Sequence, residues 1–480
     1  MAVGVRVTTI ERAGPIGTPR APSGTYFVSG ATQRGPADRA VEVRSMQAYE
    51  REFGARTGYS APLYDDLTVF FAEGGERAVV ARAVGPAATL GTLTLMDAAD
   101  PAGPTLRIDA AGPGSWSAQI TVTVEAGATP GTVRVRILGG AEDEVYDGLA
   151  TADAVVSALA RSRYVRATSI GTGTLPAVLA ATPLTAGDDD RDALDAAAYV
   201  GALDTLVTQA YGDGAVAVPG QAIGAVGDAL VAHAQTFNRV ALLSELPGTD
   251  ADDIAAAIGT LDSEYAGLFW PSLVVPDGLG GTRTVTPTGY VAACRARAHG
   301  DVGPWRAPAG GIGTSRTILA TDVQVDAVTA DALDEARVNV IRTIAGRPRL
   351  YGWRSLSLDT ANYRLLSGRD LLNRLQYDAE ARLEPYVFGA IDTSGRLYAA
   401  IAADLLGMVQ PIASAGGLYG LRGADGELLD EGYRVDVSLD LNPPEVAALD
   451  TVNALVALRV APAGALIALT LVKVAPTAPL

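Results

Sequence analysis

The sequence has few of the residues from which most catalytic and metal sites are built. Its 480 residues include one cysteine (Cys294), one lysine (Lys473) and two histidines. A single cysteine excludes an internal disulfide framework, and the scarcity of lysine excludes a phosphate-binding loop of the form G-x-x-x-x-G-K-[ST]. With 54 acidic and 37 basic residues, the net charge is −17, which disfavours nucleic acid and anionic membranes as main partners.

An apolar leader and long hydrophobic runs are also missing. Residues 1–6 show neither the charged start nor the apolar stretch of about 7–15 residues that a signal peptide has. The longest uncharged windows, 167–187 and 405–421, are interrupted by Pro176, Pro183 and Pro411. We therefore expect no membrane insertion and a protein that stays in an aqueous compartment.

The composition is that of a folded chain with several domains. Hydrophobic residues make up 48% and charged residues 19% of the sequence. Short apolar strands alternate with amphipathic helices up to about residue 90 and again after residue 187, whereas residues 91–187 show short strands separated by Gly/Pro turns. This pattern predicts a multidomain α/β and α+β protein, with a sandwich-like α/β core and an inserted β-rich domain.

Both ends of the chain have the pattern of isolated strands. Near the N-terminus, Val3, Val5, Val7 and Thr9 alternate with other residues before a break at Gly14 and Pro15. Near the C-terminus, an apolar strand predicted over residues 466–474 follows a break at Pro462 and Gly464. A lone strand is not stable by itself, because its backbone groups have no partners.

Candidates for nucleophilic or phosphate chemistry are weak. Cys294 and His299 lie five residues apart on a predicted helix over 289–298, a spacing that does not place them well on one face. The segment 114–117 (GSWS) lacks the closing glycine of a nucleophile elbow. The glycine clusters at 278–281 and 310–313 lack the G-x-G-x-x-G spacing, so turns are the favoured interpretation.

Two charged clusters leave alternatives open. The acidic run 188–192 precedes a helix predicted over Asp192–Ala210; it is either a hard-cation site or, as we favour, a group of carboxylates stabilised by the helix N-terminus. Arg342, Arg347, Arg349 and Arg354 form a basic stretch. It is either a site for carboxylates on a neighbouring subunit or a solvated basic face.

Seven segments, in order along the chain, share a resemblance. They are GATQRGP (30–36), FFAEGG (70–75), AVVARAV (78–84), GPGSW (112–116), PTGYVA (287–292), GPWRAPA (303–309) and GWRSL (352–356). Each alone is a weak signal, but together they span most of the chain. In this order they resemble the sheath protein of contractile phage tails, a family shared with contractile injection systems.

The resemblance implies a division of the chain into five parts. These are an N-terminal linker arm (1–20), a discontinuous middle α/β sheath domain (21–90 and 188–345), an inserted β-rich peripheral domain (91–187), a C-terminal domain facing the tube (346–464) and a C-terminal arm strand (465–480). It also implies that the arms add strands to sheets of neighbouring subunits. The linking residues would be Val3, Val5, Val7 and Thr9 in one arm and Leu466, Ile467, Leu469, Leu471 and Val472 in the other, with hinges at Gly14, Pro15, Pro462 and Gly464.

The implied function is structural rather than enzymatic. Copies would polymerise as a helical tube around an inner tail tube and contract to drive it through a target cell envelope. The implied partners are other copies, the inner tube protein, and baseplate and tail terminator proteins, with no cofactor, metal, nucleic acid or membrane insertion. The implied location is the virion, with assembly in the host cytoplasm.

Three alternatives remain open at this stage. One is the sheath of a bacterial contractile injection system, which would place the chain in the bacterial cytoplasm. Another is an α/β enzyme with a ligand at the carboxyl edge of its sheet. The third is a static shell protein that never contracts.

Overall fold

The computed structural model describes residues 23–99, 101–140, 142–207, 211–392 and 394–464. Within these ranges the strands are β1 (Tyr26–Ala31), β2 (Val41–Val43), β3 (Ala78–Ala83), β4 (Thr92–Met96), β5 (Pro104–Ala110), β6 (Ile120–Ala126), β7 (Val133–Gly139), β8 (Asp143–Leu149), β9 (Val165–Ser169), β10 (Leu179–Pro183), β11 (Gly214–Ala217), β12 (Arg239–Leu243), β13 (Ala266–Trp270), β14 (Leu273–Pro276), β15 (Thr282–Val285), β16 (Ala320–Thr321), β17 (Val338–Ile344), β18 (Arg347–Leu350), β19 (Leu421–Arg422), β20 (Leu428–Asp430), β21 (Tyr433–Asp436) and β22 (Leu455–Leu458).

The α-helices in the same ranges lie between these strands. They are α1 (Met46–Phe53), α2 (Ala61–Ala72), α3 (Ala152–Leu159), α4 (Ala196–Ala202), α5 (Ile223–Phe237), α6 (Ala251–Ala257), α7 (Thr288–Asp301), α8 (Ala327–Glu335), α9 (Thr360–Tyr363), α10 (Leu366–Leu383), α11 (Arg396–Ser414) and α12 (Pro444–Ala447). The start of α1 shows how local sequence sets a boundary: Ser45 caps the helix, and its side chain accepts a hydrogen bond from Ala48 N at 3.1 Å.

An eight-stranded sheet in the order β18-β17-β13-β12-β11-β1-β3-β2 forms the centre of the fold. The strands from β17 to β3 run parallel, and the edge strands β2 and β18 are antiparallel to their neighbours. The parallel strands β1, β3 and β12 are buried along their whole length. Burial on both faces explains why these strands are short, largely apolar runs rather than alternating ones.

Helices cover both faces of this sheet. On one face α1, α2 and α7 share a hydrophobic cluster that includes Phe53, Phe70 and Tyr290. On the other face α4, α5, α6 and α8 share a second cluster, and strand β1 contributes to both because Tyr26 belongs to the first cluster and Phe27 to the second. The mixed α/β class predicted from the sequence is therefore confirmed.

The helix predicted over Asp192–Ala210 is wrong in its extent. Within the described part of this range, residues 192–207, the α-helix covers Ala196–Ala202, between 3-10 turns at Arg191–Ala193 and Leu203–Leu206. Asp195 is the N-cap, and its side chain accepts a hydrogen bond from Ala198 N at 2.9 Å. Apolar residues three or four positions apart were the evidence for one long helix, and 3-10 turns satisfy much of the same spacing.

The residues between β3 and α4 form two smaller antiparallel sheets. Their strand orders are β10-β6-β7-β8 and β4-β5-β9, and together with α3 they enclose a hydrophobic cluster of their own. The chain leaves and re-enters the central unit at one place. There, Gly85 N donates to Asp189 O at 2.9 Å, and Thr89 forms a bridge with Asp188.

Arg82 of β3 holds this junction together. Its buried guanidinium donates to Gly35 O at 2.6 Å and to Pro113 O at 2.8 Å, and lies 3.4 Å from Asp189 Oδ2. Arg191 binds the same carboxylate at 2.9 Å. Burial lowers the pKa of Arg82 to about 10, so the side chain is charged at neutral pH. One cation thus joins β3 and the loop after β1 to the Pro113 turn of the intervening segment and to the C-terminal end of that segment.

Replacement of Arg82 is expected to destabilise the fold strongly. The R82M variant leaves two carbonyls and part of the Asp189 carboxylate without a donor, so the free energy of unfolding should fall by about 3 kcal/mol. The matched control is R134M, because Arg134 makes a solvent-accessible pair with Asp147 and its loss should change the free energy of unfolding far less than R82M does. Urea unfolding of both variants measures the two values, and equal losses would contradict the role of Arg82.

Candidate assembly interface

The C-terminal part of the described chain is a helical pair that supports a small sheet. Helices α10 and α11 pack on each other, and α11 also packs on β21. Their buried contacts form a separate hydrophobic cluster. Its members include Leu371, Leu375, Tyr398, Ile401, Leu405, Met408 and Val409 from the helices, with Val435 and Val456 from the sheet packed against them.

Strands β21 and β22 form an antiparallel pair in which Tyr433 faces Leu458 and Val435 faces Val456. Within the described residues this sheet has only these two strands. Past the end of β22, Val460 forms a bridge with Leu418. Over the two strands themselves, the outer edges therefore present backbone N–H and C=O groups without a strand partner in the described chain, and such edges are templates for an added strand.

The predicted C-terminal arm follows directly from this sheet. After β22 the chain passes Val460 and continues through Pro462 to Gly464, both of which are exposed and outside regular secondary structure. The predicted hinge residues Pro462 and Gly464 are thus placed next to the open sheet. The predicted linking residues of this arm lie outside the described residues; they are Leu466, Ile467, Leu469, Leu471 and Val472.

The predicted N-terminal arm also lies outside the described residues. This applies to Val3, Val5, Val7 and Thr9 and to the hinge residues Gly14 and Pro15. The first residue that the structure describes, Ser23, is bound at two points. Its carbonyl accepts a hydrogen bond from Arg295 Nη1 at 2.5 Å, and its hydroxyl lies 3.1 Å from His299 Nδ1.

Behind Ser23 is a buried charge cluster, which we call the Ser23 anchor and define as Arg295, His299 and Asp370. Arg295 Nε and Nη2 donate to Asp370 Oδ1 at 2.8 and 2.7 Å, and His299 Nε2 lies 3.7 Å from Asp370 Oδ2. All three side chains are almost fully buried. The anchor links α7 to α10 and holds Ser23 against α7.

Electrostatics favour one protonation state of the Ser23 anchor. Burial raises the pKa of Asp370, but the Arg295 charge and the hydrogen bonds outweigh this effect and hold the pKa below its ordinary value. Burial and the Arg295 charge lower the pKa of His299 to about 4. At neutral pH the anchor therefore contains a charged Arg295–Asp370 pair and a neutral His299.

The residues considered for nucleophilic chemistry are structural. Cys294 is buried in α7 with Arg297 Nη2 3.3 Å from its sulfur, and burial raises the pKa of its thiol to about 12. His233 contacts Arg239 Nη1 at 2.7 Å, and burial lowers its pKa to about 3. Among the described residues, no group of three or more His, Cys, Asp or Glu side chains could hold a metal ion.

The three glycine-containing segments form local structure. In the segment 114–117, Trp116 Nε1 donates to Pro113 O at 2.9 Å and Ser117 Oγ donates to Gly114 O at 2.9 Å, and this segment opens a 3-10 helix over Ser115–Gln119. The 278–281 segment connects β14 to β15, and the Asp277 carboxylate accepts hydrogen bonds from its backbone. In the 310–313 segment, Gly310 N donates to Leu350 O and Gly313 O accepts from Leu350 N, both at 2.9 Å. The interpretation of the two glycine clusters, 278–281 and 310–313, as turns agrees with the geometry.

The favoured interpretation of the acidic run 188–192 is wrong. No long helix begins there, and the carboxylates have individual partners instead. Asp189 binds Arg82 and Arg191, as described above, and Asp190 Oδ2 accepts a hydrogen bond from Ala87 N at 2.9 Å. The run stabilises the junction between the central unit and the intervening segment.

The structure divides the basic stretch into two parts. Arg354 donates to Asp334 Oδ2 at 2.9 Å and is largely buried. Arg342, Arg347 and Arg349 lie on the hairpin of β17 and β18 at the edge of the central sheet. These three side chains are therefore separate from the Arg354–Asp334 pair.

Among the residues that the structure describes, one helix, α11, is long and apolar enough to cross a membrane by length and composition. Pro411 was expected to interrupt this segment, but it lies inside the helix near its C-terminal end. In the structure the buried side chains of α11 belong to the C-terminal cluster with α10 and the β21–β22 sheet. Packing within the fold thus accounts for the buried apolar side chains of this helix.

Comparisons of the sequence with protein-family models and with curated proteins gave no match. Solved structures, in contrast, match over nearly the whole chain. A chain of the anti-feeding prophage baseplate has a TM-score of 0.60 at 16% identity, with 99% of this chain and 100% of the other covered. The sheath tail protein of Listeria innocua has a TM-score of 0.60 at 14% identity, with 88% and 90% covered.

A contracted assembly is also among the similar structures. The helical sheath of the anti-feeding prophage in its contracted state has a TM-score of 0.57 at 15% identity, with 98% of this chain and 100% of the other covered. The protein therefore has the fold of contractile sheath proteins, and the resemblance found in the sequence is confirmed at the level of the fold.

The Ser23 anchor predicts a dependence of stability on pH. Because the pKa of His299 falls from 6.5 in the unfolded chain to about 4 in the folded one, the unfolded chain alone binds a proton in this window. The free energy of unfolding should therefore decrease as the pH falls from 6.5 towards 4. In the H299Q variant this decrease, measured by urea unfolding between pH 7 and 4.5, should be smaller by about 2 kcal/mol.

The measured quantity is the change in the free energy of unfolding between the two pH values within each protein. A loss of stability that is the same at both pH values therefore does not affect the test. The H233Q variant is a parallel case, because the pKa of His233 on α5 is also lowered, to about 3, so the decrease should become smaller by a similar amount in this variant. An unchanged pH dependence in H299Q would show that His299 is not neutral in the folded protein.

Proposed function

We propose that this chain is the subunit of a contractile sheath. Copies polymerise as a helical tube around an inner tail tube, and the tube of copies shortens to drive the inner tube through a target cell envelope. The observation that carries the proposal is the full-length likeness to sheath proteins, one of them from a contracted sheath. A helical tube needs heterologous contacts that do not close into a ring.

The terminal arms are proposed to link the copies. Residues 3–9 and 466–474 have the alternation or apolar content of strands, and the β21–β22 sheet has open edges next to the start of the C-terminal arm. Adding a strand to such an edge uses backbone hydrogen bonds and requires no particular side chain. At about 0.5–1.5 kcal/mol net per bond, an arm contributes several kcal/mol.

The described geometry supports the proposed hinges. At the N-terminal side, the Ser23 anchor fixes Ser23, the first described residue after the proposed arm of residues 1–20. At the C-terminal side, Pro462 and Gly464 are exposed directly after the sheet. Fixed exit points followed by Pro/Gly segments allow an arm to keep its partner while the globular parts change their relative orientation.

The proposed division of labour follows the five parts predicted from the sequence. Residues 21–90 and 188–345 would be the middle domain, residues 91–187 the peripheral domain with its own hydrophobic cluster, and residues 346–464 the domain that faces the inner tube. The first residues of the last part, including β18 and Leu366, pack with the central sheet. The proposed partners are other copies, the inner tube protein, and baseplate and tail terminator proteins. The proposed location is the tail of the particle, after assembly in the cytoplasm of the producing cell.

A second candidate is the sheath of a contractile injection system that is not a phage. It is favoured because the anti-feeding prophage and an extracellular contractile injection system, the PVC sheath complex, are among the similar structures.

The enzyme alternative has less support. Cys294 and the two histidines are buried with pKa values that disfavour proton transfer or nucleophilic attack at neutral pH.

Electron microscopy of the purified protein tests the proposed function. We expect long hollow tubes, and particles from the producing cells should show sheaths of two lengths, the shorter ones being wider. Tubes of a single length would support the static shell instead. Dispersed monomers with no tubes under any condition would contradict both.

The arm proposal is tested with proline in the N-terminal arm. Proline removes a backbone donor and cannot be accommodated inside a sheet ladder, so V5P/V7P should give folded monomers that form no tubes. The matched control V5T/V7T keeps the backbone donors and should form tubes. In the C-terminal arm, L469P and L469V form the corresponding pair.

Circular dichroism and size-exclusion chromatography show whether each variant folds, and negative-stain images show whether it polymerises. Normal tubes from both proline variants would overturn the arm model. The sheath assignment would then depend on whether the unmodified protein forms tubes.

A further inference from the structure

The hairpin of β17 and β18 carries three arginines on one face. In this antiparallel pair Arg342 lies directly opposite Arg349, and Ile344 lies opposite Arg347. Residues directly opposite each other share a face, and side chains two positions apart on a strand do so as well. Arg342, Arg347 and Arg349 therefore project on the same side, which we call the arginine face.

The arginine face has no acidic partner within the described chain. No described carboxylate lies within 4.0 Å of any of the three guanidinium groups. Arg342 lies over the ring of Tyr351 at 5.4 Å from its centroid. The Nε atoms of Arg342 and Arg349 are buried without a hydrogen-bond partner. Like charges placed directly opposite in a sheet are unfavourable, so this arrangement costs stability in the isolated chain.

One carboxylate, that of Asp326, is affected by the Arg342 charge, but it already has a hydrogen-bond partner. Asp326 caps α8, and its carboxylate accepts a hydrogen bond from Thr329 N at 2.7 Å. Its pKa is below the ordinary value mainly because of hydrogen bonds from the Thr329 backbone and side chain, with a smaller effect of the Arg342 charge. Arg354, by contrast, has a direct partner in Asp334 at 2.9 Å. The three arginines of the hairpin thus differ from their neighbour.

We infer that the arginine face binds carboxylates of a second copy of this chain. The net charge of −17 makes identical copies repel each other unless positive surfaces meet negative ones. Arg347 is exposed and Arg342 and Arg349 are half-buried, so the face reaches the surface even though the 313–315 segment pairs with the outer side of β18. Each copy also offers exposed carboxylates without a described basic partner within 4.0 Å, such as Asp252 and Asp253 in the first turn of α6.

This inference rests on the proposed self-assembly and names a surface that acts in it. It requires that the hairpin lie against a neighbour in the assembled tube. In an isolated copy the three guanidinium groups have no carboxylate partner among the described residues, whereas an assembled copy pairs them. The paired contact is bidentate in character, because a guanidinium presents its donors in a planar fork that matches a carboxylate.

The scarcity of lysine allows a direct test by zero-length cross-linking. A carbodiimide joins a lysine amine to a carboxylate in contact with it, and the unmodified chain offers only Lys473 and the N-terminal amine. The R347K variant adds one amine on the arginine face. Tubes are assembled from equal amounts of light and ¹⁵N-labelled variant, treated with the carbodiimide and digested, and mass spectrometry then separates links within one copy from links between copies.

We expect the amine introduced by R347K to form mixed light–heavy links to Asp- or Glu-containing peptides. The matched control is R134K, because Arg134 lies 2.6 Å from Asp147 of its own chain and should give unmixed links only. Tubes of R347K with no mixed links at this position would overturn the inference and leave the proposed function intact. If neither the unmodified protein nor the variants form tubes, the proposed function fails, and the inference fails with it.

A charge reversal measures the contribution of the face to assembly. The R342E/R349E variant should raise the protein concentration needed for tube formation at least about tenfold. The control R134E/R136E reverses two exposed arginines of the peripheral sheet, on β7, and should change this concentration less than about twofold. Circular dichroism verifies that both fold, and equal effects of the two reversals would contradict a specific role of the hairpin.

Discussion

The fold is governed by the need of every strand for hydrogen-bonding partners. The central sheet meets this need within the chain, since its six parallel strands are all flanked on both sides and β2 and β18 cover its edges in antiparallel orientation. The β21–β22 sheet is different, because the described chain supplies only two strands to it. A structure that is complete at its centre and open at its C-terminal sheet is suited to linkage through added strands.

The parts of the fold that the sequence predicted well are those with local signals. Ser45 caps the start of α1, and Pro62 lies in the first turn of α2, where its missing N–H costs nothing; both are local signals of a helix start. Strand β8 has no such signal, because its sequence, DEVYDGL, lacks an alternating apolar pattern. It is held by pairing with β7 and by ion pairs such as Arg136–Asp143, which only the folded arrangement brings together.

The candidate interface was only partly visible in the sequence. The arms could be found because an alternating or apolar run next to Pro and Gly is a local pattern. The Ser23 anchor could not, because Arg295 and Asp370 are 75 positions apart and meet only when α7 packs near α10. The one signal was the presence of Arg295 and Arg297 in an otherwise mostly apolar helix, since a charge buried in such a position needs a partner.

The proposed arms and the arginine face would act on different energy scales in a contracting tube. Strand addition sums many backbone bonds and is indifferent to side chains, so it persists while the bodies of the subunits rotate. Ion pairs between exposed surfaces contribute about 1 kcal/mol or less each, so they break and re-form at small cost. A sheath needs both properties, because its subunits must exchange lateral contacts without separating. The two proposed tasks would be separated in space, because the open edges belong to the C-terminal sheet and the arginine face lies on the β17–β18 hairpin of the central one.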